Sequence, residues 1–447
     1  MTQSILTEHI KFVGDLLWQW PFLAFILLSG FILSIALRGI QFRYFFTAWK
    51  MVLFPKPKLE VQKEGQISSF QAFINALSAS MGNGSLAGMA VAIAQGGPGV
   101  AFWIFVLGFL ILPIRYAEVY ASSAFAIKNS KGVLNGGPMA YLSLVPGGSF
   151  LPFCYAFFLL ALVFVANAMQ CNSMGLGLCS MTHCRTEIIG LIFLLFLAYV
   201  MLGGAHRIIK ASEMIVPVKV AVFFITAAIL LGYNYAGIVS ALVLIIKSAL
   251  MPQALYGVAT GFTIQYAISS AASRVINASE VGLGTAGVLF GATGGNNAVK
   301  NGVMSMVSAF ISNYFVCFIL CLCFVVTGVW NGTAQSTDMA IAAFSTAFGS
   351  FGGWIVTFLS LSFGIGVLVA YAFIGRECWR YLTGGRFFGL YNLLYCAAAF
   401  FGTVAKVEIV WASVNIVNAG LLFLNIYGLL FLLPQITRGF LSQRNEL

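Results

Sequence analysis

Charged side chains are scarce in this chain: Asp, Glu, Lys and Arg make up 8% of 447 residues, and 60% are hydrophobic. Soluble domains carry roughly a quarter of their residues as charges, so a water-exposed globular fold is excluded and a polytopic membrane protein is expected. Histidine is scarcer still, with three residues, and the nine cysteines include no CxxC pair and no Cys/His metal spacing. The cysteines read as small buried hydrophobes, with a disulfide among Cys171, Cys179 and Cys184 as the alternative. HExxH, GxSxG and paired carboxylates within apolar runs are absent, so neither an enzyme nor a cofactor is expected. A net charge of +11 would fit nucleic acid in a soluble protein. Here the basic residues fall in loops, as the positive-inside rule requires, so the expected partner is a lipid bilayer and not nucleic acid.

What the chain has in place of charge is apolar length. Several runs approach or exceed the ~20 residues that a helix needs to cross the hydrocarbon, and the alternating pattern of a membrane β-barrel is missing. Hydropathy predicts an all-α fold with about eleven spans, at roughly 18–37, 70–95, 100–127, 150–180, 186–203, 212–233, 248–274, 302–329, 350–377, 388–405 and 409–434. The first run follows Glu8, Lys11 and Asp15, with no small-residue cleavage site behind it, so it is expected to be a retained span. Arg38, Arg43, Lys50, Lys56, Lys58 and Lys63 put the next loop in the cytoplasm and the N-terminus outside. Alternation then places Lys128/Lys131, Arg207/Lys210, Arg274/Lys300, Arg376/Arg380/Arg386 and Arg438/Arg444 inside, and leaves outside the 330–349 loop, which has no Lys or Arg.

Beyond a leading helix at 18–37, the remaining spans divide into two sets of five with opposite orientation, 70–233 and 248–434, the arithmetic of an inverted repeat. In such a transporter the first helix of each set is broken at the midplane. The segment Asn75–Gly99 fits, because Gly82, Asn83, Gly84 and Ser85 stand where a span would carry leucines. Gly257, Thr260, Gly261, Thr263 and Gln265 are their expected counterparts in the second set. Unpaired backbone groups cost several kcal/mol each in lipid, so unwound helix is tolerated only against protein, water or ligand. A small-residue packing face would use the same glycines. It does not need Asn83 between them.

Other polar residues within spans are few. Asn167 and Gln170, i and i+3, share a helix face and read as substrate contacts or as interhelical glue. An amide suits a zwitterion, since it donates to a carboxylate and accepts from an ammonium. Arg115 and Glu118 are spaced to pair on one helix, Lys219 either snorkels or meets Glu213 or Glu280, and all of these are candidates for gating, with Glu280 the candidate proton relay.

Together these segments resemble the alanine or glycine:cation symporters. The resemblance runs in order through the Asn75–Gly99 segment, Phe102-Trp103, Tyr116-Ala117-Glu118, GGPMAYL at Gly136 to Leu142, ANAMQCNSM around Asn167 to Ser173, RIIKASEMIVPVK ending at Lys219, SEVGLGTAG from Ser279, and the last helix from Val410. It implies a LeuT-like inverted-repeat fold with one extra leading helix, and import of a small neutral amino acid, alanine or glycine, by sodium symport and alternating access. A sodium-independent exchanger, uniporter or proton-coupled carrier is the alternative, and a channel the remote one. The implied substrate site comprises backbone at Gly82, Asn83, Gly84, Ser85 and Gly261 with side chains of Asn167, Gln170, Thr260, Thr263 and Gln265. Asn83, Ser85 and Thr263 are the candidates for holding Na⁺. The family also implies a prokaryotic inner membrane; nothing in the sequence sets an oligomeric state.

Several positions depart from the family pattern. Gly82-Asn83-Gly84-Ser85 replaces Gly-Thr-Gly-Asn, Gly366 and Val367 stand where adjacent hydroxyl residues suit sodium, and Ala278-Ser279-Glu280-Val281-Gly282 replaces Ser-Asn-Glu-Ala-Gly. Ser312-Asn313 takes the place of Asp-Thr, and Asn415 that of an aspartate. Oxygen ligands and negative charge are lost together, which bears on cation coupling more than on substrate binding.

Overall fold

The computed structural model describes residues 9, 12–14, 16–54, 67–128, 134–202, 204–250, 264–293, 297–334 and 336–444. Within them the chain is helical apart from short connections and one antiparallel hairpin that pairs Ile127 with Asn135 and Lys128 with Leu134. The helices are α1 (Trp20–Ala36), α2 (Phe45–Leu53), α3 (Ser69–Ser80), α4 (Asn83–Gly96), α5 (Gly99–Ala124), α6 (Leu151–Thr182), α7 (Thr186–Leu202), α8 (Gly204–Tyr233) and α9 (Ile238–Leu250). After them come α10 (Ile264–Ser279), α11 (Thr285–Gly291), α12 (Ala298–Phe310), α13 (Ile319–Val326), α14 (Thr337–Phe348), α15 (Phe351–Thr383), α16 (Phe388–Val404), α17 (Val407–Phe431) and α18 (Leu433–Gln443). A π-helical stretch, Ile311–Phe318, joins α12 to α13.

Among the described residues, seven stretches are long and apolar enough to cross a membrane, with α3 and α4 counting together as Ser69–Gly96. Shorter apolar helices include α1, α7 and α16. Phe31, Phe153, Leu195, Ile225 and Leu393 are exposed on five different helices, the outward apolar coat of a multi-pass membrane protein. At the centre lie α6 and α15, packed along each other, with α16 and α17 also against α6 and α8 against α15. All nine cysteines are free thiols.

The helix carrying Gly82 is interrupted. α3 opens with a capping box, in which Ser68 Oγ accepts from Gln71 N (3.1 Å) and Gln71 Oε1 accepts from Ser68 N (2.9 Å). It stops at Ser80, and α4 restarts at Asn83 after the extended Gly82. A second interruption separates α10 from α11, where Glu280, Gly282 and Gly284 all take positive φ. The residues expected to interrupt the first helix of the second set, Gly257, Thr260, Gly261 and Thr263, lie outside the described residues, as does the side chain of Gln265; the described break is at Glu280–Gly284. Arg274, counted above with a cytoplasmic loop, is instead within α10, buried and stacked on Trp411 with 4.6 Å from guanidinium carbon to ring centroid. The expected span at 248–274 takes in most of α10 and stops short of the break, since Arg274, Asn277 and Ser279 lower the hydropathy of its last turns.

Close helix approaches rest on glycine. A methyl group at Gly402 of α16 would overlap the backbone of Ala168 on α6, whereas one at Gly389, on the same helix, would meet nothing within 4 Å. Gly402→Ala should therefore cost about 1–3 kcal/mol, read as a lower midpoint in thermal unfolding in detergent followed with a thiol-reactive dye. Gly389→Ala should leave the midpoint unchanged or slightly raised.

Candidate functional site

Each interruption frees backbone groups in the interior, and the partners of those groups define the site. At the first break, Gln170 Oε1 on α6 accepts from Asn83 N at 2.8 Å. The carbonyls of Ser78 and Met81 accept from the Lys219 ammonium on α8, at 3.0 and 2.9 Å. The Ser80 carbonyl accepts from Ser312 Oγ at 2.7 Å, and the same hydroxyl lies 2.9 Å from the Ala278 carbonyl in the last turn of α10. Ser312 thus links the two interrupted helices from the π-helical stretch, a distortion that recurs at functional sites.

The second break is held by an ion pair. Arg115 and Glu118 on α5 pair at 3.0 Å with both side chains buried. Arg115 Nη2 donates to the Ser279 carbonyl, and Glu118 Oε2 accepts from Gly282 N at 2.9 Å. Asn425 Nδ2 donates to the Gly282 carbonyl (2.7 Å) and Tyr155 OH to that of Leu283 (2.6 Å). Tyr141 OH in turn donates to Asn425 Oδ1. Both charges are consumed by backbone, so this pair braces the break.

Between the two breaks lies a small cavity lined by Gly82 and Gly84 of the first, Glu280 and Leu283 of the second, Gln170 and Met169 of α6, Asn277, Tyr371 and Asn418. Its polar groups differ from end to end. The N-terminus of α4 borders it, with the partial positive charge of a helix start, and the Gln170 Nε2 group is the donor that side chain has left once its oxygen is engaged. The one acid in the lining is Glu280, whose Oε2 accepts from Thr285 Oγ1 at 2.8 Å and which also hydrogen-bonds Tyr371. Asn277 bonds Asn415 Oδ1 (3.2 Å) and accepts from Asn418.

The remaining expected site residues are placed elsewhere. The Asn83 amide is engaged with α15, donating to the Ser360 carbonyl (3.1 Å) and accepting from Ser360 Oγ (2.8 Å), so only its backbone serves the break. Asn167 donates to the Tyr395 carbonyl on α16 (2.7 Å) and is not in the cavity lining. Ser85 is buried beside the Cys317 thiol. Lys219 neither snorkels nor pairs directly with a described acid; it is fully buried on carbonyls.

A chain with two interrupted helices meeting at a central polar cavity is built as a carrier, and comparison with known proteins agrees. Residues 3–445 match the model described as the sodium:alanine symporter family. The chain belongs to that family. A Haemophilus influenzae protein described as an uncharacterized transporter is 31% identical over 96% of this chain and 93% of its own length. The sodium/alanine symporter AgcS of Methanococcus maripaludis is 30% identical over 95% of this chain and 94% of its own. The probable sodium/glutamine symporter GlnT of Bacillus subtilis is 24% identical over 97% and 90%. Membership in the sodium:alanine symporter family makes the chain an amino-acid transporter and not an enzyme.

Tyr371, Asn277 and Asn418 were not singled out from the sequence. Asn418 carried a usable signal, an amide within an otherwise apolar helix, whereas Asn277 lies among serines on a polar helix and a tyrosine in a span carries none. For the brace, Arg115→Met strands Glu118 as an uncompensated buried charge and should cost about 3–5 kcal/mol. Arg115→Met/Glu118→Gln should cost less than the sum of the single changes, measured by thermal unfolding of the four proteins.

Proposed function

We propose that this chain carries a small neutral amino acid, alanine or glycine, across a prokaryotic inner membrane by alternating access around the cavity between the two breaks. The observation that carries the reading is the polarity of that cavity, with a helix N-terminus and a donor amide at Gln170 set against the carboxylate of Glu280. A zwitterion matches that polarity, with its carboxylate directed to the α4 amides and Gln170 and its ammonium toward Glu280 and Asn277. Leu162, Ala166, Met169, Leu283 and Val414 complete the lining with apolar side chains. Relatives described for alanine and for glutamine share the family, so membership does not choose between a short side chain and a longer one.

The same reading takes the bundle as a leading helix, α1, followed by two inverted sets of five in the LeuT-like manner. One set is α3/α4, α5, α6, α7 and α8; the other is α10/α11, α12–α13, α15, α16 and α17. Each set opens on its interrupted helix, which supports the pairing. Eleven crossings put the N-terminus outside and the C-terminus in the cytoplasm by the arithmetic of alternation.

Membership makes Na⁺ the first coupling ion to test. A second reading, a sodium-independent exchanger, uniporter or proton-coupled carrier, is favoured by Gly366 and Val367, which offer no side-chain oxygen.

Uptake of radiolabelled alanine and glycine into liposomes holding the purified protein tests the proposal, with sodium, choline or a proton gradient as the drive. Gln170→Ala removes the acceptor of Asn83 N and the donor amide, and should lower uptake about tenfold to a hundredfold while the protein still purifies folded. Wild-type uptake in that variant would take Gln170 out of the site. Glu280→Gln should weaken substrate binding, seen as a raised half-saturation concentration.

A further inference from the structure

The Lys219 ammonium is the feature that the carrier reading leaves over. It comes from the middle of α8, is fully buried, and sits on two carbonyls, Ser78 and Met81, that diverge from the helical ladder where α3 unwinds. A helix C-terminus with bare carbonyls at i and i+3 is an arrangement that attracts a cation. The wall opposite is α15, where Ser78 Oγ donates to the Gly366 carbonyl at 3.0 Å and the Phe363 ring lies 5.7 Å from the ammonium.

Gly366 explains how the lysine fits. A Cβ at that position would come within 2.6 Å of Lys219 Nζ and 2.8 Å of Ser78 Oγ. A serine hydroxyl at 366 and the ammonium at 219 would therefore claim the same point. Val367, the next residue, presents a methyl group toward Gly82 and no oxygen. Positions 366 and 367 of α15 therefore offer no side-chain oxygen to this place, and Lys219 brings a positive charge to it.

We infer that Lys219 is a tethered cation, its ammonium standing at the first break where a free Na⁺ would otherwise be bound, so that no sodium ion binds between α3 and α15. The inference deepens the second coupling reading above and rests on the chain being an amino-acid carrier only for its transport consequences. Glu280 is the described acid whose charge acts on Lys219, and it borders the substrate cavity, so tethered cation and zwitterion share one electrostatic neighbourhood. The ammonium keeps the unwound carbonyls paired whether or not substrate is present.

The test compares saturable ²²Na⁺ binding to the purified wild type and to Lys219→Met/Gly366→Ser/Val367→Thr, which removes the charge and restores two hydroxyls. The triple variant is expected to bind one more sodium ion per chain than the wild type; equal counts overturn the inference. Should the variant fail to fold, liposome uptake by the wild type decides. Rates that are the same in sodium and choline, with Lys219→Met at least tenfold slower in choline, support the tethered cation, and uptake abolished by choline overturns it. A protein that moves neither alanine nor glycine under any ion sinks the substrate reading, and the sodium count still judges the lysine.

Discussion

Every buried N–H and C=O in a membrane protein needs a partner, and in an unbroken helix the chain itself supplies it. This one requirement organises the molecule around its two interruptions. Where α3 gives way to α4 and α10 to α11, the ladder lapses, and side chains from α5, α6, α8, α17 and the π-helical stretch replace it. Arg115, Glu118, Lys219 and Ser312 are all buried, and all four spend hydrogen bonds on main chain.

The two breaks are maintained by different means. The second is braced by a neutralised pair, in which cation and anion hold opposite backbone groups, and its positive-φ residues fix the turn. The first is held by a neutral amide on one side and an unbalanced ammonium on the other. Unlike an ion pair, an ammonium on dipoles keeps its charge, and that charge is felt in the adjoining cavity. On the proposed reading, the first break is therefore where substrate and cation chemistry meet.

Composition and hydropathy were enough for a helical membrane bundle, and the Gly82–Ser85 stretch marked the first interruption to within a residue or two. The second was missed because the expected span ended at 274, inside α10, whose four serines, Arg274 and Asn277 lower its hydropathy toward the break. Its glycines, Gly282 and Gly284, were present in a motif matched for resemblance alone. The roles of individual amides were less legible. Asn83 and Gln170 are alike in sequence terms, yet Asn83 is taken up by Ser360 and Gln170 borders the cavity, a difference set by which helix packs alongside. Lys219 could be flagged as a charge in a span. Its partners could not, because a backbone carbonyl has no residue type to read.

A serine hydroxyl carries one hydrogen, so of the Ser80 and Ala278 carbonyls that flank Ser312 only one is fully bonded at any instant. At that point the two interrupted helices share a proton, not a pair of bonds. Parting them there forfeits about one neutral hydrogen bond, about 1 kcal/mol, less than twice the thermal energy. At Ser312, therefore, the ends of α3 and α10 are tied to each other through one hydroxyl and not through two independent bonds.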